Sequence, residues 1–153
     1  ERLSREPCRL TMRRGSARIG TVPDAVQVGP KVCLINKYSA SDGDLFPWGF
    51  RALGLGKLIG TRTWGGIVGI SGSLPYMDGT DIRVPFFTSY DPKTGSWIIE
   101  NHGVDPDILI DNDPVKEWNG EDQQLDRAIQ EVMKELQNRK PLPGVPAPRD
   151  FSK

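Results

Sequence analysis

The order of apolar and polar positions along the chain predicts strands and helices in alternation. Val32–Ile35 is apolar at every position, as expected for a central parallel strand covered by helices on both faces. Residues 42–55 predict a helix, with acids in the first turn, Pro47 also in that turn and glycines at the end. The positions that recur at near-helical spacing are Leu45, Phe46, Gly49 and Leu53. The short apolar segment "KLIGTRT" then completes a parallel strand, helix, strand crossover.

The middle of the chain alternates β-like segments with turn signals. "WGGIVGISGS" is glycine-rich and β-like, and "IRVPFFTSY", "DPKTG" and "SWIIEN" predict a strand, a tight turn and its partner strand, which together form a hairpin. "GVDPDILIDNDP" predicts a loop with one short strand. These segments and the crossover predict an α/β fold.

The last third of the chain predicts one amphipathic helix and an irregular tail. The helix starts near Gly120 and ends before Pro141, and we expect its apolar stripe to pack in the core. That stripe consists of Leu125, Ile129, Val132, Met133 and Leu136. The tail "PLPGVPAPRDFSK" cannot continue the helix, so we expect an extended arm that packs on a neighbour or is disordered. The predicted organisation is therefore a folded part, 1–140, and a proline-rich tail, 141–153.

Charge and hydropathy exclude several classes of partner. Twenty basic and twenty acidic residues give a formal net charge of zero, so no global field attracts nucleic acid or an anionic membrane. The arginine-rich first segment is typical of a solvated or interdomain face. No stretch has the apolar length of a membrane span and no signal segment opens the chain, so we expect a soluble, cytoplasmic protein.

The cysteine and histidine content argues against a disulfide or a metal site. Cys8 lies in the arginine-rich segment and Cys33 inside the first apolar run, where a buried, reduced thiol is expected. His102 is the single histidine, so neither cysteine has the neighbours that a zinc site needs. We expect no metal and no cofactor.

The motif "SASDGD" carries the candidate chemistry, because it lies where a strand ends and a helix begins. N–H groups in a first helical turn lack internal partners, and the helix dipole places partial positive charge there. A serine at this point, Ser41, lies beside donors suited to a tetrahedral oxyanion, one of which is the N–H of Asp42. Ala40 and Gly43 keep the site open. Local sequence leaves a second interpretation, in which Ser41 only caps the helix.

The segments "INKYSASDGDLFPWGFRALGLGKLIGTRTWGGIVGI" and "ENHGVDPDILIDNDP" resemble the nucleophile region of tricorn proteases, within the tail-specific, carboxy-terminal-processing serine peptidases. The resemblance extends over nearly the whole chain. It implies a crotonase/Clp-protease-like fold of α/β/α layers, here a partial domain with a parallel β-α-β crossover, a hairpin and a C-terminal helix.

The resemblance also implies roles for individual residues. Ser41 is expected to be the nucleophile, and the Asp42 amide to contribute to the oxyanion hole. Glu100, expected at a strand end, corresponds to the acid that supports the family's serine, histidine, serine and glutamate tetrad. The glycine-rich "WGGIVGI" resembles a substrate-flanking strand, to which we assign Gly66 and Ile70.

The sequence departs from the family in two features. The family's general base is a histidine upstream of the nucleophile, whereas no histidine precedes Ser41 here. The second oxyanion donor, a glycine amide, is also missing. His102 lies two residues from Glu100, but nothing in the sequence brings it to Ser41. The chain is thus expected to be the C-terminal, nucleophile-bearing part of a peptidase core, inactive without its upstream half.

The resemblance implies peptides or unfolded proteins as substrates, the upstream half of the protease as a partner, and a homo-oligomer, by family a hexamer. One alternative is a non-catalytic ligand- or peptide-binding module on the same fold, although such a module has no reason to retain both Ser41 and Glu100. A second alternative, a crotonase-like acyl-CoA enzyme, shares only the fold.

Overall fold

The computed structural model describes residues 1–72 and 74–147. They form two compact units, one of Glu1–Pro30 with the chain from Met133 onward, the other of Lys31–Val132. The strands are β1 (Arg9–Met12), β2 (Ile19–Val22), β3 (Val32–Ile35), β4 (Lys57–Gly60), β5 (Gly69–Gly72), β6 (Arg83–Phe87) and β7 (Ile108–Leu109). The helices are α1 (Asp42–Ala52), α2 (Pro114–Trp118) and α3 (Gln123–Gln137), and one 3₁₀ turn spans Arg2–Ser4. The mixed α/β class is confirmed.

A three-stranded parallel sheet forms the centre of the second unit. Its order is β3-β4-β7, and β3 and α1 lead into β4 as the predicted crossover. The prediction of β3 as the central strand is wrong, because β4 lies in the middle and Leu34 of β3 is 43% exposed. Leu58 and Ile59 of β4 are instead fully buried. Burial of each of these side chains stabilises the fold by about 1.5–3 kcal/mol.

Helix α1 packs a face that differs from the predicted one. Its buried residues are Asp44, Pro47 and Phe50, whereas Phe46 and Leu53 are more than half exposed. Pro47 lies in the second turn and not in the first. The prediction failed because the buried face includes a carboxylate, and periodicity analysis assigns a charged residue to the solvent face.

The hairpin forms between strands other than the predicted pair. β6 pairs antiparallel with β5, and "SWIIEN" contributes only an isolated bridge between Tyr90 and Trp97. The ring of Phe87 lies against Gly69, in the space that a side chain on β5 would fill. Gly69 therefore favours this pairing. Glu100 consequently lies in a turn and not at a strand end.

Helix α3 is confirmed, but the side that packs on the sheet is polar. Gln124 Nε2 donates to the carbonyls of Ile35 and Ile59, both at 2.8 Å, and Lys57 Nζ lies 2.6 Å from Glu131 Oε2. The Ile35 carbonyl also accepts from the Thr61 N–H at 3.2 Å, so Gln124 adds a side-chain donor to the end of the β3–β4 ladder. The predicted core stripe is instead largely exposed: Leu125 44%, Ile129 50%, Met133 51% and Leu136 44%.

Several elements were not predicted. Helix α2 begins after Asp113, whose Oδ1 accepts from the N–H groups of Val115 and Lys116. In the first unit, β1 and β2 pair antiparallel, and residues 143–146 line a cavity of about 500 Å³ against them. The proposed boundary after residue 140 stays a prediction, and the last six residues of the tail, 148–153, lie outside the described residues. No helix in the described part is long and apolar enough to cross a bilayer.

Candidate active site

Ser41 lies at the junction between the sheet and α1 with an unusual backbone conformation. Its φ is 57° and its ψ is −113°, a region that costs a non-glycine residue about 1–3 kcal/mol. It occupies the N-cap position, yet its side chain makes no capping hydrogen bond, and the residue is exposed. Capping therefore does not account for the serine, and the hydroxyl is left available for chemistry.

The turn that precedes Ser41 is fixed by side chains and by a neighbouring segment. Asn36 Oδ1 accepts from the Tyr38 N–H at 2.9 Å, and Ser39 Oγ accepts from the Asn36 N–H at 3.2 Å. The Trp64 N–H donates to the Ser39 carbonyl at 2.9 Å. These bonds hold the serine-bearing turn against the segment that follows β4.

The Asp42 N–H is the candidate oxyanion donor. The Gly43 N–H donates to the Ala40 carbonyl at 2.8 Å and the Asp44 N–H to the Ser41 carbonyl at 2.9 Å. Within residues 1–72 and 74–147, the Asp42 N–H donates to no group. It lies beside Ser41 at the positive end of the α1 dipole, where an anion is stabilised.

Asp44 is a site residue that the sequence analysis missed. It is fully buried, and its Oδ1 and Oδ2 accept from the N–H groups of Gly65 and Gly66 at 2.8 and 3.2 Å. An acid in a first helical turn is already explained by the helix dipole. The available signal was its spacing of three and six residues from Pro47 and Phe50, which places all three on one face.

The Glu100 carboxylate binds the two backbone N–H groups that follow those bound by Asp44. Its Oε2 accepts from the N–H groups of Ile67 at 2.7 Å and Val68 at 3.0 Å. In the described part of the chain, Oε1 accepts no hydrogen bond. The half-buried carboxylate is thus fixed by one oxygen and can accept from a further donor with the other.

Gly66 and Ile70, the predicted substrate-flanking residues, lie in different surroundings. The Gly66 N–H is taken by Asp44, and the ring of Trp64 lies where a side chain on Gly66 would be. Ile70 is 63% exposed on β5, opposite Pro85 of β6. Their pairing with a substrate stays a prediction, to which Gly66 can contribute only its carbonyl.

His102 is committed to a different partner. Its Nε2 lies 2.8 Å from Asp105 Oδ2, and Arg62 Nε donates to Asp105 Oδ1 at 2.6 Å. The hydrogen bond from His102, followed by that from Arg62, lowers the pKa of the Asp105 carboxyl. Among the described residues no hydrogen bond joins His102 to Ser41. The structure therefore does not unite the single histidine with the candidate nucleophile.

The cysteines are both free, and they differ in exposure. Cys8 is exposed, whereas Cys33 is buried in β3, and burial raises the pKa of the Cys33 thiol. In the part of the chain that the structure describes, no group of three or more histidine, cysteine or acidic residues is arranged to hold a metal ion.

Known proteins share this arrangement of sequence and fold. The tricorn protease of Thermoplasma acidophilum is 46% identical over 110 residues, which are 72% of this chain and 10% of that protein. Tricorn protease homolog 1 of Streptomyces coelicolor is 40% identical over 129 residues, 84% of this chain and 12% of that protein. A crystal structure of the tricorn protease superimposes with a TM-score of 0.81 and 39% identity, over 90% of this chain and 13% of that one.

These similarities confirm the expected resemblance to tricorn proteases and the fold that it implied. This chain spans about a tenth of the length of the relatives that it matches. Residues 9–110 match the family described as Peptidase family S41, which is more than half of the chain. The chain therefore belongs to peptidase family S41.

Proposed function

We propose that this chain is the nucleophile-bearing, C-terminal part of a tricorn-type serine endopeptidase core. The observation that carries the proposal is the exposed hydroxyl of Ser41, which makes no capping hydrogen bond, beside the Asp42 N–H, which donates to no group among the described residues. Ser41 Oγ attacks the carbonyl carbon of a peptide bond while its proton passes to a base. The C–N bond then breaks, the amine leaves with that proton, and water hydrolyses the acyl-enzyme.

The base is a histidine from polypeptide outside these 153 residues. His102 is the chain's single histidine, and its imidazole is engaged by Asp105. Glu100 acts as the supporting acid, since its Oε2 is fixed by two amides and its Oε1 remains able to accept from the relay. The second oxyanion donor also comes from outside the chain. Without these groups the chain alone is expected to be slower by several orders of magnitude.

The substrates are peptides or unfolded protein segments. The exposed ribbon of β5 and β6 offers backbone and apolar side chains, Ile70 among them, beside the segment that Glu100 holds. A peptide that aligns with this ribbon would contact Ile70 and the backbone of β5. At the neighbouring Gly66 the peptide could bind only the carbonyl, because the Gly66 N–H donates to Asp44. A short peptide would then lie across Ser41.

The partners are the upstream part of the same protease and further copies of it. We infer a homo-oligomer, a hexamer by the family resemblance, and the exposed apolar stripe of α3 supports an assembled state. We also infer a cytoplasmic location, because an exposed free thiol such as that of Cys8 suits a reducing compartment. Analytical ultracentrifugation of the chain mixed with its upstream part tests the assembly.

Peptide cleavage by the reconstituted protein tests the activity. The chain is mixed with the polypeptide that precedes it in its own reading frame, and fluorogenic peptides are added. We expect turnover in the mixture that Ser41→Ala abolishes. If a folded mixture binds peptides but never cleaves them, the peptidase proposal is wrong and the binding-module alternative replaces it. A thioester assay on the same mixture tests for acyl-CoA chemistry.

A further inference from the structure

The segment of residues 65–68 contains four successive N–H groups that all donate to carboxylates. Asp44 accepts from Gly65 and Gly66, and Glu100 accepts from Ile67 and Val68. Buried backbone N–H groups normally pair with other backbone groups. Here two acids that are distant in sequence each accept from two of the four N–H groups in one short stretch of backbone.

Asp44 is an unusual acid because burial of its charge is not offset by a cation. It is fully buried, and in the described chain it forms no ion pair. A desolvated carboxylate is costly unless hydrogen bonds stabilise it. Both carboxylate oxygens of Asp44 are therefore stabilised by the N–H groups of Gly65 and Gly66. The same two hydrogen bonds fix the backbone of these glycines.

The same acid is tied directly to the nucleophile. Asp44 lies three residues after Ser41 in the first turn of α1, and its N–H donates to the Ser41 carbonyl at 2.9 Å. A continuous set of contacts thus runs from the Ser41 carbonyl through Asp44 to residues 65–68 and on to the Glu100 carboxylate. Each contact is a hydrogen bond of 2.7–3.2 Å.

We propose that Asp44 is a positioning residue, which fixes the turn of Ser41 relative to Glu100 through the backbone of residues 65–68. This inference rests on the proposed function of Ser41 and Glu100. Asp44 touches neither substrate nor reacting atoms. Its role is to keep the nucleophile and the supporting acid within the narrow geometry that acyl transfer requires.

A purely structural role for Asp44 has a different consequence. If the acid only fills a buried position, its replacement weakens the bonds at Gly65 and Gly66 and lowers global stability. If it positions Glu100, the disturbance must also reach Ile67 and Val68, whose N–H groups it does not touch. The exchange rates of these four amides, each taken relative to the Leu58 amide of the same variant, distinguish the two roles, because a loss of global stability accelerates the fully buried Leu58 as well.

Amide hydrogen exchange of the full chain, resolved by NMR, is the first test. Asp44→Asn places an NH₂ donor opposite one of two N–H donors. We expect at least tenfold faster exchange at all four amides, Gly65 to Val68. The matched control is Asp107→Asn, because Asp107 Oδ2 accepts from the Leu58 N–H at 2.7 Å in the same unit. The control should accelerate Leu58 and leave the four amides at wild-type protection.

Faster exchange confined to Gly65 and Gly66 in Asp44→Asn would overturn the proposal. Should Asp44→Asn not fold, Glu100→Gln supplies the reciprocal measurement, since Glu100 is only half-buried. We expect that variant to accelerate Gly65 and Gly66 at least tenfold. Wild-type protection at those two glycines would equally overturn the coupling.

The second readout is the rate at which a fluorophosphonate labels Ser41 in the chain mixed with its upstream part. Asp44→Asn should slow labelling about 100-fold. Asp107→Asn should slow labelling only in proportion to the fraction of that variant that is unfolded. The double variant Asp44→Asn with Glu100→Gln should lose little more than the worse single variant. Additive losses would contradict a shared segment. If the wild type is never labelled, the proposed function fails, whereas amide exchange still decides the coupling.

Discussion

The two halves of the glycine-rich stretch "GGIVGISG" differ sharply in structure although their sequences are similar. Residues 65–68 donate four N–H groups to Asp44 and Glu100, and Ile67 is 3% exposed. Residues 69–72 form β5, which pairs only with β6 in the described chain, and Ile70 is 63% exposed. One half is anchored and the other is an open ribbon.

This difference separates two uses of glycine beside the proposed active site. Gly65, with φ of +87°, lets the backbone pass close to Gly103 and His102, and its N–H donates to Asp44. Gly69 instead makes room for the Phe87 ring. Precision is needed where the catalytic groups are held, and access is needed where a peptide is to lie. The predictions below test whether the two halves divide these tasks.

The largest effect is expected from Glu100→Gln in the anchored half. Gln keeps the shape but removes the charge that supports the relay, so peptide turnover by the reconstituted protein should fall about 10³- to 10⁴-fold. Glu121→Gln, an exposed acid, serves as the control. Steady-state kinetics with unchanged circular dichroism checks the result. A loss below tenfold would remove Glu100 from the relay.

The next effect compares two glycines of similar backbone conformation. A Cβ on Gly65 would overlap Gly103, whereas Gly79, with φ of +83°, has nothing within 4 Å of that position. Gly65→Ala should cost about 3 kcal/mol in urea unfolding, from strain plus overlap. Gly79→Ala should cost about 1 kcal/mol, from strain alone. Equal costs would mean that the backbone around Gly65 is packed no more tightly than the loop that contains Gly79.

A pair of isoleucines provides a smaller and more selective comparison. Ile67→Ala empties a buried position and should lower the free energy of unfolding by about 2–3 kcal/mol. Ile70→Ala should change it by less than about 0.5 kcal/mol, because that side chain is already largely in water. In the reconstituted protein Ile70→Ala should instead raise the KM for peptides. An unchanged KM would exclude Ile70 from substrate binding.

The smallest effect concerns the exposed charges near the anchored half. Because the pKa of Asp105 is lowered in the fold, the unfolded chain binds more protons as pH falls. The stabilisation is therefore complete above the usual aspartate pKa of about 3.9 and is lost as pH falls through the lowered value. Asp105→Asn should cost a few tenths of a kcal/mol at pH 6, and this cost should shrink as pH falls below about 3.9, measured by urea unfolding.

The sequence predicts the features of this molecule that depend on local pattern. The crossover of β3, α1 and β4 follows from apolar runs and helix boundary signals, and "SASDGD" lies at the predicted junction of a strand and a helix. The partner of β6 could not be predicted, because strand pairing depends on distant residues such as Gly69 and Phe87.

Polar groups on the packed faces account for the errors in the two helices. Asp44, Gln124 and Glu131 face backbone groups or a charged partner, but periodicity assigns such residues to the solvent side. The faces of α1 and α3 were misassigned for this reason. The coupling of Asp44 and Glu100 through one backbone segment requires coordinates, since no spacing in the sequence relates residues 44, 65 and 100.

The most direct test of the account is fluorophosphonate labelling followed by peptide mass spectrometry, on the chain alone and mixed with its upstream part. The account predicts modification at Ser41 in the mixture and almost none in the chain alone, because the histidine base comes from outside these residues. Labelling of Ser41 in the chain alone would contradict the external base. A correctly folded mixture in which Ser41 is never labelled would contradict the nucleophile itself.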